Sequence, residues 1–160
     1  MEHGLSFDEW LDYIAGENRR WRAWFEEHPA ALDVPVDVAG AGNTRLLLLH
    51  IFSVDLFFAR ACLGLQQNDP EQLPRQTLAE LFAIAEDAQQ KYRQLLAQPS
   101  LDLQEKVAMP GGRMQPTKRK MIGQAVVHNI RHFAQLATAL RRAGYQQDWN
   151  HDLLMSAAID

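Results

Sequence analysis

Four segments of this chain repeat apolar residues every three or four positions, and each is bounded by residues that start or stop helices. Such spacing places apolar side chains on one face of a helix, so each segment predicts an amphipathic helix. Ser6 with Glu9 and Thr77 with Glu80 follow the capping-box pattern. Asn43 or Thr44 caps the second segment, and Thr117 opens the fourth. The four helices are expected to end after about Glu27, at Gly64, at Pro99 and at Gly144, in each case at or near a Pro or Gly.

Four helices of roughly twenty residues joined by modest loops predict an all-α four-helix bundle in a single domain over residues 1–160. Residues 29–42, "PAALDVPVDVAGAG", are expected to form a linker, because they contain two prolines and two glycines. Between helices 3 and 4, over residues 100–116, Val107 and Met109 alternate with polar or small residues around "PGG". That pattern is compatible with a short β-hairpin.

Charge and cysteine content exclude several classes of protein. A net charge of −4 gives no general attraction to nucleic acid or to anionic membranes. The single cysteine, Cys62, excludes an intramolecular disulfide, and the N-terminus lacks the basic region of a secretory signal. The most apolar stretch, "LLLLHIFSVDLFFARACLGL", carries His50, Asp55 and Arg60, so we interpret it as a buried helix rather than a membrane span. A cytoplasmic protein without nucleic-acid or membrane partners is predicted.

The stretch "VVHNIRHF" places His128 and His132 four residues apart on the fourth helix. Residues at this spacing lie on one helix face, so both imidazoles can bind one ion. The spacing alone is weak evidence, because six histidines in 160 residues produce it easily by chance. There is no "HExxH", so a zinc-protease arrangement is not supported.

Positions on the helical wheel favour a metal site at this pair. The predicted apolar arc of the fourth helix comprises Ile122, Val126, Ile130, Phe133, Ala137 and Leu140. Lys120, Arg131 and Arg142 mark the opposite, solvated side. His128 and His132 lie at the edge of the arc in a row with Met121, Ala125 and Ala139. The small residues there leave room for an ion and a ligand.

His50 lies in the middle of the second helix, which is apolar around nearly its whole circumference. Burying an imidazole there costs free energy unless its nitrogens are satisfied. Two interpretations remain open: a core histidine bonded to a backbone carbonyl or a water, or a third metal ligand facing His128 and His132. Three nitrogen ligands would leave one tetrahedral position open, as in catalytic zinc sites.

The segments "LLLLHIFSVDLFFA" and "HNIRHFAQLATALRRAGY", with the aromatic "NRRWRAWF" on the first helix, resemble the DinB family over essentially the whole chain. The resemblance implies a four-helix bundle, often homodimeric, with a divalent metal on His50, His128 and His132. Zinc or nickel is favoured, with iron or manganese as alternatives. The chain departs from the Arg-Gly-Gln that follows the last histidine in many members, since Phe133-Ala134-Gln135 stands there.

Two enzymatic mechanisms suit such a site. A metal-bound hydroxide can attack an electrophile, which is hydrolysis, or a small thiol can bind the metal and attack as the thiolate. The resemblance favours the second, because characterised relatives include low-molecular-weight-thiol S-transferases and a thiol-dependent isomerase. A non-catalytic alternative is a dimeric metal-binding or stress-response protein in which the metal cross-links two helices.

The remaining candidates have simpler interpretations. Cys62 is expected to be a buried structural thiol, and His3, His28 and His151 are expected at the surface. A basic cluster of Arg113, Lys118, Arg119 and Lys120 is either a solvated helix end or a contact for the carboxylates of a thiol co-substrate. The tryptophans of the first helix, Trp10, Trp21 and Trp24, are either core residues or part of a dimer interface.

Overall fold

A computed structural model describes residues 4–112 and 114–157 of the chain. It is mostly helical, as predicted. The long helices are α1 (Phe7–Glu27), α2 (Thr44–Cys62), α3 (Leu78–Leu96) and α4 (Lys118–Arg142). Two short antiparallel strands, β1 (Pro35–Val38) and β2 (Ala41–Asn43), lie between α1 and α2. Short 3₁₀ turns occupy Pro29–Asp33, Pro70–Gln72 and Leu153–Met155.

The predicted helix caps are present. The Ser6 hydroxyl accepts a hydrogen bond from the Glu9 amide at 3.2 Å, while the Glu9 carboxylate accepts from the Ser6 amide at 2.6 Å. The Asn43 side chain caps α2 by accepting from the Leu46 amide at 2.9 Å. Thr77 and Thr117 cap α3 and α4 in the same way. These bonds satisfy backbone donors that a helix cannot pair internally, so local sequence fixes where each helix begins.

The two-stranded sheet lies largely within residues 29–42, which the sequence predicted to be a linker without predicting strands. Val36 is buried, and the strands reverse through Ala39 and Gly40, both with positive φ (54° and 75°). This pair of conformations suits a two-residue hairpin turn, but alanine is not a residue that signals one. The segment does connect α1 to α2, but its two strands were not predicted, because the prolines and glycines around the alternating valines indicated a loop.

The hairpin predicted over residues 100–116 is reduced to a single bridge between Lys106 and Thr117. The chain does reverse there: the Val107 amide donates to the Pro116 carbonyl at 2.9 Å, and the Met109 amide to the Met114 carbonyl at 3.3 Å. No strand forms in the described part of this segment. Proline at positions 110 and 116 removes two amide donors that a ladder would need.

Helix α2 is the central element of the packing. It makes its most extensive contact with α3 and also packs against α4, while α1 packs against α3 and α4. Its side chains Leu48, Ile51 and Phe52 are fully buried in the larger of two core clusters. These contacts are compatible with the predicted bundle. None of the helices in the described part combines the length and apolarity that crossing a membrane requires.

The aromatic residues of α1 mostly belong to the core. Trp21 and Trp24 are buried, and Trp21 packs on Phe25 and Phe133 with ring centroids 5.7 and 6.3 Å apart. Trp10 remains partly exposed. Of the two interpretations of these tryptophans, the core interpretation holds for Trp21 and Trp24.

His28 and His151 are not free surface residues, which corrects the prediction for both; His3 lies outside the described residues. His28 Nδ1 lies 2.8 Å from the Trp24 carbonyl oxygen. His151 Nδ1 lies 2.6 Å from Oε2 of Glu17, a carboxylate that is only 2% exposed. The C-terminal segment is thereby attached to α1, a long-range contact that no local pattern predicts.

Candidate metal centre

The packing of α2 against α4 brings His50, His128 and His132 together, and we call these residues the histidine triad. Each offers one ring nitrogen, and the three nitrogens lie within 4.8 Å of one another. Nε2 of His50 and Nε2 of His128 are 3.2 Å apart. The ring centroids are separated by 4.4 to 5.1 Å. The residues singled out from the sequence therefore do meet at one point.

The histidine pair lies inside the buried face of α4 rather than at its edge. His128 and His132 are 5% and 4% exposed, and the small residue Ala125 beside them is also buried. Ile130, which the sequence placed on the apolar arc, is 38% exposed. Compared with the predicted helical wheel, α4 is therefore rotated about its axis so that the two histidines face the core. The other five members of the predicted arc are buried, namely Ile122, Val126, Phe133, Ala137 and Leu140.

The triad is held in the neutral form that binds metals. Burial lowers the pKa of His128 to about 3, and the neighbouring His132, His50 and Arg131 add to the effect. Burial, followed by Arg131, lowers the pKa of His50. Burial, His50 and Arg131 lower the pKa of His132, while Gln135 acts in the opposite direction. Because only unprotonated imidazole has a lone pair to donate, this environment favours metal ligation at neutral pH.

The donor set fits a divalent ion. A tetrahedral ion with bonds of about 2.0 Å to nitrogen places its ligands about 3.3 Å apart, close to the separation of the His50 and His128 nitrogens. Nδ1 of His128 and Nδ1 of His132 are buried without a hydrogen-bond partner among the described residues. The nitrogens of His50 and His128 that face each other are both Nε2, so an ion bound there would leave Nδ1 of His128 to carry the ring proton.

The triad has an accessible side and, in the described part of the chain, no fourth ligand. His50 is only half-buried, unlike the pair on α4. Among residues 4–112 and 114–157, no further His, Cys, Asp or Glu joins the group. An ion held there would retain at least one position for water or another exchangeable ligand, which is typical of catalytic rather than structural sites.

Arg131 is a member of this environment that sequence reasoning missed. It is exposed, as the wheel predicted, yet its Nη2 lies 3.4 Å from Nε2 of His132. Its charge contributes to the lowered pKa of all three histidines. Its position next to His132 was visible in the sequence. A helical wheel, however, shows only the face on which a residue lies and not how far a long side chain reaches from that face.

Asp55 is a second residue that the sequence did not identify. It is buried on α2, and burial raises the pKa of its carboxyl to about 7, while hydrogen bonding from Asn129 and Tyr92 lowers it. The Tyr92 hydroxyl also donates to the Asp55 backbone carbonyl at 3.2 Å. Asn129 is the residue after His128 on α4, so this buried contact joins α2 and α4. The available signal was a lone carboxylate within an apolar helix.

Cys62 and the basic cluster stand apart from the triad. Cys62 is buried, and burial raises the pKa of its thiol to about 11, which suits the expected structural role. Lys118 pairs with the Glu105 carboxylate at 2.6 Å, so it is not available as a free cation. Arg113 of the cluster lies outside the described residues.

Comparison with models of known protein families identifies the family of this chain. The family model for the DinB family matches residues 1–157, which includes the whole triad. The chain belongs to the DinB family. No curated protein sequence matches it significantly. For this DinB protein, family membership and the geometry of the triad are therefore the two observations from which a function is inferred.

Proposed function

We propose that this DinB protein is a four-helix bundle that binds one divalent metal ion through His50, His128 and His132, and that it catalyses the transfer of a low-molecular-weight thiol. The observation that carries the proposal is the convergence of three imidazoles on one point between α2 and α4. Two of them come from one face of α4, and the third comes from a different helix, so the arrangement depends on the fold.

Three neutral ligands would leave the ion its full double positive charge. When bound, such an ion holds a thiol as the thiolate at neutral pH, and it also acidifies a bound water. The protein contributes the ligands, a buried environment around His128 and His132, and a cation, Arg131, at the edge of the site. The half-buried His50 and the lack of a fourth ligand among the described residues support an exchangeable position over a closed structural cross-link.

The identity of the ion is proposed from ligand chemistry alone. Imidazole nitrogens suit zinc, nickel, copper and iron, and they suit manganese less well. We propose zinc or nickel as the native metal. Iron and manganese are the alternatives.

Metal analysis followed by a thiol-transfer assay tests this function. Protein purified without added metal is expected to carry about one zinc or nickel ion per chain. In the assay, a thiol attacks an electrophilic aryl chloride, the carbon–sulfur bond forms, and chloride leaves with a proton released to water. Activity should depend on the metal, disappear with His128→Ala and persist with His28→Ala. A metal-loaded protein that accelerates aryl ester hydrolysis but not thiol transfer would favour the hydrolase alternative.

The homodimer and the cytoplasmic location remain predictions. The burial of Trp21 and Trp24 removes most of the aromatic motivation for a dimer interface on α1, leaving Trp10 as the partly exposed tryptophan there. Light scattering that returned only a monomer over a wide concentration range would exclude the dimer.

A further inference from the structure

The guanidinium of Arg131 lies beside the histidine triad, and no carboxylate of residues 4–112 and 114–157 pairs with it. Its one hydrogen-bond contact is with Nε2 of His132 at 3.4 Å, and it forms no ion pair with a carboxylate of the described residues. Arginine stays protonated at any physiological pH. A permanent positive charge therefore faces the point where the proposed ion would lie.

Metal binding would remove the one partner that the described residues give to Arg131. A neutral imidazole that binds an ion through one nitrogen carries a proton on the other. Neither nitrogen of His132 could then accept a hydrogen bond. The guanidinium would be left with five donors and no acceptor from the described part of the chain, next to a second positive charge.

Among the described residues, no carboxylate joins the triad or forms an ion pair with Arg131. All members of the triad are neutral ligands, and no Asp or Glu of residues 4–112 and 114–157 belongs to the group. The ion and Arg131 together would place three positive charges within a few ångströms. Such a site attracts a ligand with more than one negative charge.

We infer that Arg131 is a specificity-determining residue that binds an anionic group on the thiol co-substrate, so that the preferred ligand is a thiol carrying a carboxylate or another oxyanion. The thiolate binds the ion, and the second anionic group accepts hydrogen bonds from the guanidinium, whose fork matches a carboxylate. This inference rests on the proposed function. It adds the chemical class of the thiol and a residue that selects it.

Two thiols of equal length separate the effect of charge from the effect of metal binding. Co²⁺-loaded protein is titrated at low ionic strength with 3-mercaptopropionate and with 3-mercaptopropan-1-ol, and binding is followed by the thiolate-to-cobalt absorption in the near ultraviolet. The readout is the ratio of the two dissociation constants. Because both thiols bind the ion through sulfur, this ratio isolates the second group.

In the parent protein, 3-mercaptopropionate is expected to bind about tenfold more tightly, because a charge-assisted hydrogen bond is stronger than a neutral one. Arg131→Gln should bring the ratio close to one, and Arg131→Lys should retain part of the preference. Arg141→Gln is the matched control, because Arg141 is exposed on the same helix about 15 Å farther along its axis. It should leave the ratio unchanged.

The possible results test the proposed function and the role of Arg131 separately. If both thiols bind and Arg131→Gln leaves the ratio unchanged, Arg131 does not select the ligand, and the proposed function stands without this inference. If Arg141→Gln lowers the ratio as much as Arg131→Gln, the effect is one of overall charge, and the inference is also wrong. If Co²⁺ does not bind, or neither thiol produces the absorption, both the proposed function and the inference fail.

Discussion

Replacing His50 by alanine is expected to weaken zinc binding by about a hundredfold or more, because two nitrogen ligands hold a divalent ion far less well than three. His128→Ala and His132→Ala should have effects of similar size. Competition with a chromophoric chelator at pH 7 measures the dissociation constant directly. His50 is the most informative of the three positions, because it comes from α2 and shares no helix with the other two.

His28→Ala is the matched control, because His28 is also half-buried but lies at the end of α1, where its Nδ1 contacts the Trp24 carbonyl. Its zinc affinity should equal that of the parent. His151 is less suitable as a control because it contacts the buried Glu17. Parent-like zinc affinity in His50→Ala would show that the ion binds elsewhere.

Zinc should also stabilise the parent protein against heat. An ion that binds only the folded state contributes about 4 kcal/mol when its free concentration is a thousand times the dissociation constant. The resulting increase in Tm should disappear in His50→Ala and remain in His28→Ala. Equal stabilisation of both variants would mean that zinc acts at a site other than the triad.

Asp55→Asn is expected to make the metal-free protein more stable than the parent at pH 8 by a few kcal/mol. Each unit by which folding raises the pKa of Asp55 costs the folded state about 1.4 kcal/mol once the carboxyl is ionised. Burial raises the pKa of Asp55 from its ordinary 3.8 to about 7. Between those values the folded state holds a proton that the unfolded state has released, so the parent loses stability as the pH rises through this window. About one pH unit above 7 the loss is essentially complete.

Urea unfolding of both proteins at pH 5 and at pH 8 measures this difference. The advantage of Asp55→Asn should be larger at pH 8, and the triad cancels from the comparison because its members are the same in both proteins. Asp33→Asn is a suitable control, since the Asp33 side chain is 74% exposed. An equal pH dependence in the parent and in Asp55→Asn would show that Asp55 is not protonated in the folded state.

The four helices could be predicted because their boundaries depend on neighbours in the sequence. The Ser6 and Thr77 capping boxes bond residues three apart, and a pattern of that range is visible in the chain itself. The triad was predictable for a related reason. The spacing of His128 and His132 fixes a common face, and a lone imidazole in the apolar α2 requires a partner.

The rest depends on how the helices are rotated against each other and where long side chains end. Ile130 lies outside the core because α4 is rotated so that its histidines face inward. A helical wheel gives the angles between residues of one helix but not the rotation of that helix against its neighbours. The contact of His151 with Glu17 joins residues 134 positions apart. The hairpin turn at Ala39 was hidden because its conformation is set by the strands it connects rather than by its own preference.

The metal K-edge X-ray absorption spectrum of the zinc-loaded protein tests the three-histidine site most directly. Scattering from three imidazoles with nitrogen at about 2.0 Å is predicted, together with one exchangeable oxygen. Adding 3-mercaptopropionate should replace that oxygen by sulfur at about 2.3 Å. A spectrum with fewer than three imidazoles, or with sulfur from the protein before any thiol is added, would contradict the site proposed for His50, His128 and His132.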